Sequence, residues 1–81
     1  MLKIRMISPS GIVYQGECSR IVFPGEVGRF EVLPKHAPII SSLVEGEIEC
    51  YVASGGEARR IAIRSGFVEV KADRITACVE I

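Results

Sequence analysis

The sequence has no excess of charge of either sign, because ten Lys and Arg residues are balanced by ten Asp and Glu residues. A domain that binds nucleic acid through its phosphates shows a clear basic excess. Aromatic residues are also few, and they are too widely spaced for a platform that stacks bases: Tyr14, Phe23, Phe30, Tyr51 and Phe67. No nucleic-acid partner is therefore expected.

The three cysteines form no C-x-x-C pair, and Cys18, Cys50 and Cys78 lie far apart along the chain. An odd number of widely spaced cysteines predicts neither a disulfide framework nor a zinc site. They are typical of small buried side chains in a reducing compartment. His36 is the only histidine. We therefore expect no metal site and no cofactor.

Long apolar runs are missing as well. No segment approaches the roughly 20 apolar residues that cross a bilayer, and no leader of a charged segment followed by an apolar one opens the chain. These absences predict a soluble, cytoplasmic domain that does not insert into a membrane. Since no segment keeps an apolar period of 3.6 residues, no stable helix is expected either.

What the sequence does show is alternation of apolar and polar residues. A period of two places one face of a strand on the core, and the alternating apolar positions are Leu2, Ile4, Met6, Ile48, Cys50, Val52, Ile61, Ile63, Ile75, Ala77, Val79 and Ile81. Turn residues separate these runs at 8–11, 24–26, 44–46, 54–57 and 71–74. The two glycines within 54–57 give the strongest hairpin signal.

These strands predict an all-β fold. In a chain of 81 residues they are expected to form one domain over residues 1–81. Its architecture would be a β-sandwich, or flattened barrel, of about ten mostly antiparallel strands. The apolar content of 48% is enough for a packed core.

Residues 28–38, which read GRFEVLPKHAP, form the segment whose backbone conformation is most restricted by its sequence. Proline fixes its own φ and keeps the residue before it out of the helical region, so Leu33 and Ala37 are both held extended. The turn is therefore stiff before any partner docks on it. Rigid loops on a scaffold commonly form binding surfaces.

The candidates for chemistry each have a simpler structural explanation. No signature pairs His36 with Cys18, Cys50 or a serine, so we expect it to bond with its own loop or with a partner surface. Residues 25–28, GEVG, have the form of an RNA-clamping loop, but that loop stands between helices. Turn geometry is the simpler role of both glycines.

Charged residues of the second half are interpreted in the same way. Glu47 and Glu49 are expected on one solvated strand face. Arg59 and Arg60 are expected at a strand edge, where charge discourages aggregation. No active site is predicted.

Two segments carry a resemblance to a known family: residues 28–46, GRFEVLPKHAPIISSLVEG, and residues 65–70, SGFVEV, followed by RITA at 74–77. They closely resemble the epsilon subunits of bacterial F-type ATP synthases, the counterparts of the mitochondrial delta subunit. In that family a glycine-phenylalanine strand leads into a leucine-proline-x-histidine-alanine-proline turn. The resemblance covers essentially the whole chain.

The resemblance implies a ten-stranded β-sandwich, in agreement with the alternation. It implies a non-catalytic rotor subunit without a cofactor, peripheral on the cytoplasmic side of the membrane. Such a subunit couples the gamma subunit to the c ring during ion-driven ATP synthesis. Carried over by position, it places Glu26, Val27, Gly28 and Arg29 against the polar loops of the c ring, and His36, Ile39 and Ser41 against gamma.

The chain departs from the family near these contacts. Arg29 stands where an acid is often found, and Glu31 and Lys35 stand where glycine is common. We therefore expect partner loops with acids near Arg29. A charge reversal, Arg29→Glu, should weaken rotor assembly in a salt-sensitive way.

Most bacterial members continue into a helical hairpin that can inhibit ATP hydrolysis, whereas this sequence ends at Ile81. The residues at hand are expected to serve coupling and not that inhibition.

Two alternatives are compatible with the residues alone. One is a free-standing β-sandwich that binds a peptide or small ligand through its loops, as a stable monomer without affinity for gamma. The other is a thiol-dependent enzyme that uses Cys18 or Cys50 with His36. It requires an exposed thiol with a lowered pKa.

Overall fold

Residues 1–52 and 58–81, which the computed structural model describes, form nine strands and no helix. In chain order the strands are β1 (Leu2–Ser8), β2 (Gly11–Cys18), β3 (Arg20–Gly25), β4 (Gly28–Val32), β5 (Ile39–Leu43), β6 (Gly46–Tyr51), β7 (Arg59–Ile63), β8 (Ser65–Lys71) and β9 (Arg74–Glu80). The all-β prediction is confirmed, with nine strands against the predicted ten or so. Over the described ranges, no helix with the length and apolar character of a membrane span is found.

The strands form one curled sheet with the order β2-β1-β9-β8-β5-β3-β6-β7, and β4 pairs with the free edge of β3. Neighbouring strands are antiparallel except β1 and β9, which run in the same direction from the pair Lys3–Arg74 to the pair Ile7–Cys78. The prediction of mostly antiparallel strands is confirmed, with this one parallel pair among the described strands. Parallel neighbours cannot be joined by a tight turn, and here they are the first and last strands of the chain.

The sheet turns a corner at the end of β3. One edge of β3 is covered by β4, whereas the other edge is divided between β6 and β5. Strand β5 reaches β3 only through the pair Gly25–Leu43. Two backbone hydrogen bonds flank this pair: the Glu26 N–H donates to the Ser42 carbonyl at 3.0 Å, and the Val44 N–H donates to the Pro24 carbonyl at 2.9 Å. The corner sets β2-β1-β9-β8-β5 opposite β4-β3-β6-β7, which is the arrangement of a sandwich.

The core lies between these two halves. Nine of the twelve predicted alternating positions are buried; Ile61 is only partly buried, and Val52 and Ile81 are exposed because they lie just beyond the ends of β6 and β9. The buried apolar side chains are Leu2, Ile4, Met6, Cys18, Ile21, Phe23, Val32, Leu43, Ile48, Cys50, Ile63, Val68, Val70, Ile75, Ala77 and Val79. The rings of Phe23 and Phe30 stack with centroids 5.5 Å apart. Among the described residues no polar or charged side chain is buried, so apolar burial alone forms this core.

Most predicted turns are confirmed. Residues 8–11, 44–45 and 71–74 connect strands as expected, whereas the predicted hairpin turn at 54–57 lies outside the described residues. The prediction at 24–26 is wrong by two positions, because Pro24 and Gly25 belong to β3. Pro24 is tolerated in the strand since its carbonyl, and not an N–H, makes the bond to Val44.

Gly25 also serves a different purpose from the predicted turn geometry. A Cβ at this position would lie 2.6 Å from the Gly28 carbonyl oxygen and 2.8 Å from the Phe30 ring. Close packing at the corner therefore requires this glycine. Gly28, with a φ of 140°, does have the backbone that favours glycine.

Candidate partner-binding surfaces

The β3–β4 tip, residues 26–29, is exposed at every position. Gly25 pairs with Gly28, so that Glu26 and Val27 form a two-residue turn. Both turn residues are exposed, and Val27 is fully so, at 102%. The structure thus brings together the four residues that the resemblance assigned to the c ring, on a short turn fixed to the corner of the sheet.

Arg29 has its counter-charge within its own chain. Its guanidinium lies 3.2 Å from Glu49 on β6, and Arg60 on β7 lies 3.7 Å from the same carboxylate. The Tyr51 hydroxyl donates a hydrogen bond to Glu49 Oε1 at 2.6 Å. This hydrogen bond, together with the charges of Arg29 and Arg60, holds the pKa of Glu49 below its ordinary value.

The same face continues through Arg20 on β3. Its guanidinium bonds Glu31 at 2.5 Å and lies 3.8 Å from the centre of the Tyr51 ring. The hydrogen bond with Glu31 is the main reason why the pKa of Arg20 is raised. We call these six residues of the β4-β3-β6-β7 half the charged network: Arg20, Arg29, Glu31, Glu49, Tyr51 and Arg60.

The charged network corrects part of the sequence interpretation. Glu47 is exposed as predicted, but Glu49 is a shared acceptor and not a free solvated acid. Arg60 does lie on the edge strand β7, where it pairs with Glu49. The signal that could have found the network is cross-strand register, since Glu49 stands directly opposite Arg60.

The proline turn, residues 33–38, is closed by a backbone hydrogen bond. The His36 N–H donates to the Leu33 carbonyl at 3.1 Å, with Pro34 and Lys35 at the two central positions. Lys35 has a φ of 67°, which is the left-handed geometry that a type II turn needs at this position. His36 is half-buried and its Nδ1 bonds the Ala37 carbonyl oxygen at 2.7 Å, as expected for a histidine that bonds its own loop.

A second turn supports the proline turn. The Lys35 N–H donates to Asp73 Oδ1 at 2.6 Å, and Asp73 belongs to the two-residue turn between β8 and β9. Ala72 and Asp73 have φ values of 49° and 63°, the pattern of a type I′ hairpin turn. Sequence reasoning missed Asp73, because 38 residues separate it from Lys35.

The segment predicted to contact gamma is only partly at the surface. Ile39 packs against the core and Ser41 is half-buried, its hydroxyl bonding the Ser42 carbonyl at 3.2 Å. The outward residues of this strand are Ile40, with 75% of its surface exposed, and Ser42. The structure therefore places Ile39 and Ser41 on the half-buried face of β5, a short distance after His36, whereas the Ile40 side chain projects from the opposite, exposed face.

A comparison with protein families gives one match, which spans residues 1–81 and is described as the β-sandwich domain of the ATP synthase delta/epsilon chain. The chain belongs to the ATP synthase delta/epsilon chain family.

Members of this family with similar sequences are named ATP synthase epsilon chains. The protein of a Nitratiruptor species is 42% identical over 79 residues, 98% of this chain and 60% of the relative. That of Desulfitobacterium hafniense is 41% identical over 73 residues, 90% of this chain and 54% of the relative. The chain thus spans about three-fifths of the length of the curated relatives it matches.

Two solved structures share the fold of this family. One is a chain from the central stalk and c-ring structure of the Tetrahymena thermophila mitochondrial ATP synthase, with a TM-score of 0.81, 15% identity, and coverage of 99% of this chain and 63% of that chain. The other comes from the OSCP/F1/c-ring structure of the Euglena gracilis mitochondrial ATP synthase, with a TM-score of 0.89, 18% identity, and coverage of 96% and 49%. The β-sandwich predicted from the alternation is therefore confirmed.

The delta/epsilon fold carries a further feature here that sequence reasoning did not find, an apolar row on the outer face of the β2-β1-β9-β8-β5 half. Ile12, Ile7, Cys78 and Phe67 stand side by side on four neighbouring strands. Phe67 and Ile12 are more than half exposed, and Ile7, Phe67 and Cys78 line a shallow groove of about 550 Å³. The two outer faces of this family member thus differ, one being charged and the other partly apolar.

The cysteines contradict the thiol-enzyme alternative. All three are free, and Cys18 and Cys50 are buried. Burial raises the pKa of Cys18 and raises that of Cys50 to about 12, the opposite of what a nucleophilic thiol requires. Within residues 1–52 and 58–81, no three His, Cys, Asp or Glu side chains are grouped to hold a metal ion.

Proposed function

We propose that this chain is a non-catalytic central-stalk component of an F-type ATP synthase, and that it couples the gamma subunit to the c ring. The observation that carries the proposal is the family match over all 81 residues. The name of the Tetrahymena structure mentions the central stalk and the c ring, and that of the Euglena structure mentions F1 and the c-ring; both support the proposal. Its place would be peripheral, on the cytoplasmic side of the membrane, without a cofactor.

The geometry fits a mechanical role. The two proposed contacts lie at opposite ends of β4, since the tip precedes Gly28 and the proline turn follows Val32. A five-residue strand separates them by roughly 13 Å. Both are attached to one tightly packed core, so that a torque received at one contact reaches the other with little deformation.

The c ring contact is assigned to Glu26, Val27, Gly28 and Arg29. The fully exposed Val27 offers an apolar side chain to the c ring. The acidic Glu26 directly precedes it, and the basic Arg29 follows two positions later. The gamma contact is assigned to the proline turn and to the start of β5, through His36, Ile39 and Ser41. Ile40 offers exposed apolar area on the opposite face of β5.

Site-specific crosslinking tests both contacts in the assembled enzyme. A photoreactive amino acid at position 27 is expected to crosslink to the c subunit, and one at position 36 to gamma. Position 47, on the charged face, is the matched control and should give neither product. A chain that assembles into no complex, or that crosslinks equally from all three positions, would contradict the proposal and favour a free-standing binding module.

The charge of Arg29 offers a second test. Arg29→Glu is expected to weaken rotor assembly, and more strongly at low salt, because exposed charges are screened as salt rises. The same substitution also breaks the pair with Glu49. Arg60→Glu breaks the other pair of that carboxylate away from the tip, and is therefore the control. Equal losses of assembly in the two variants would remove Arg29 from the c-ring contact.

A further inference from the structure

Two tight turns from distant parts of the chain meet in one hydrogen bond. The Lys35 N–H in the proline turn donates to Asp73 Oδ1 in the β8–β9 turn, at 2.6 Å. The acceptor is a carboxylate, and hydrogen bonds to a charged group are stronger than those between neutral groups. This contact joins the proline turn to the end of the β8–β9 hairpin, next to the pair Ile39–Val70.

The backbone of the proline turn offers few other ways to fix its shape. Pro34 and Pro38 have no N–H, and the His36 N–H already closes the turn on Leu33. A type II turn leaves the N–H of its third residue, here Lys35, without a partner inside the turn. Asp73 supplies that partner from outside.

Asp73 is itself held in place. Its carbonyl accepts a hydrogen bond from the Lys3 N–H at 2.9 Å, which ties the β8–β9 turn to the start of β1. Lys35, Ala72 and Asp73 are the non-glycine residues with positive φ among those described. Such conformations are unfavourable and persist only where the surroundings enforce them, and all three are grouped around this one contact.

We infer that Asp73 is a positioning residue, which holds the proline turn in the shape in which it meets its partner. The inference rests on the proposed function, because the partner of this turn is there assigned as gamma. Asp73 does not need to touch gamma. It lowers the ordering cost of binding, since a turn that is already in its bound shape loses less freedom on association.

The test uses three variants of the β8–β9 turn in the 81-residue chain. Asp73→Gly removes the carboxylate and keeps a residue that adopts positive φ readily. Asp73→Asn keeps both the positive φ and a side-chain oxygen that can accept from Lys35. Ala72→Gly changes the same turn without changing the acceptor and is the matched control.

Two quantities are measured for each variant. One is hydrogen exchange of the Lys35 amide by NMR, with the amide of Val68 in the core reporting that the fold is intact. The other is the affinity for the purified gamma subunit of the chain's own ATP synthase, by calorimetry. Asp73→Gly is expected to speed Lys35 exchange about ten-fold and to weaken gamma binding about ten-fold. Asp73→Asn should recover most of both, and Ala72→Gly should leave both unchanged.

The outcomes separate the inference from the proposed function. The inference would be overturned if the Lys35 amide of Asp73→Gly exchanged at the unaltered rate, or if it exchanged faster while the affinity for gamma stayed the same. It would also be overturned if Ala72→Gly changed the exchange rate and the affinity as much as Asp73→Gly does. If the unaltered chain shows no affinity for gamma, the proposed function of this turn fails and the partner half of the inference fails with it. The exchange rates would then still decide whether Asp73 holds the turn.

Discussion

Lys35 adopts a backbone conformation that glycine adopts at lower cost. Its φ of 67° is enforced by the proline turn and by the bond to Asp73, while the side chain itself is exposed. The lysine therefore reduces stability at this point unless its charge serves a contact.

We predict that Lys35→Gly raises the free energy of unfolding by about 0.5–1 kcal/mol, because the left-handed conformation then costs less. Urea denaturation measures the change. Lys71→Gly is the control, since Lys71 is an exposed lysine at the end of β8, paired with Arg74, without a positive φ. The free energy of unfolding of that control should fall by about 0.5–1 kcal/mol. If Lys35→Gly and Lys71→Gly changed this free energy in the same direction, the assignment of strain to Lys35 would be contradicted.

Cys50 predicts how stability changes at alkaline pH. Burial raises the pKa of its thiol from 9.0 to about 12, so the folded state keeps the proton where the unfolded state has lost it. The stabilising effect is complete below pH 9 and is lost as the pH rises toward 12. Cys50→Ala should therefore show a shallower fall of unfolding free energy across this window. An identical slope in both proteins would contradict the prediction.

At the scale of elements, the corner of β3 places the tip. Gly25 pairs with Gly28 on one side and with Leu43 on the other, and it has no room for a side chain. The direction in which Val27 projects is therefore set by close packing. A larger residue at position 25 would have to displace the Phe30 ring or the Gly28 carbonyl.

We predict that Gly25→Ala lowers the free energy of unfolding by about 1–3 kcal/mol, the usual cost of overpacking. Gly16→Ala is the matched control in β2, because the nearest atom to its added Cβ would be the Tyr14 hydroxyl at an ordinary 3.4 Å. It should be close to neutral. Thermal denaturation compares the two, and equal losses would show that the corner tolerates a side chain after all.

The existence of the strands could be predicted from the sequence, because period-two alternation determines which residues are buried, as at Leu2, Ile4 and Met6. The pairings could not, since alternation is the same for any partner strand. The β1–β9 pair joins residues about 70 positions apart, and no local signal specifies it. For the same reason the charged network could not be predicted, because it depends on the register that sets Glu49 opposite Arg60.

The candidate site was predictable where the backbone signal is local. Pro34 and Pro38 indicate a turn by their own chemistry, and the structure has a hydrogen-bonded turn there. Asp73 carries no such signal, since an aspartate in a turn is common for local reasons. Only the fold shows that its carboxylate faces Lys35.

At the scale of the whole molecule, the two halves share one core, and both contribute its largest buried side chains. The chain should therefore unfold as a single cooperative unit, as small domains usually do. The corner at Gly25–Leu43 is narrow, but the packed side chains between the halves couple them.

We predict that Ile48→Val in β6 and Ile75→Val in β9 each lower the free energy of unfolding by about 0.5–1.5 kcal/mol. Each should shift one common transition. Far-UV circular dichroism and tyrosine fluorescence, followed together, check this. Two separated transitions, or a substitution that moves only one of the probes, would show that the halves unfold independently.

The parallel pairing of β1 and β9 has a consequence for how the molecule resists force. A pull on Leu2 and Glu80 in opposite directions slides these two strands past each other along their common seam. In that shear geometry the evenly spaced backbone bonds of the pair bear the load together, whereas a hairpin pulled from its open end unzips one bond at a time. The first and last strands thus lie side by side in a seam that resists this pull by shear.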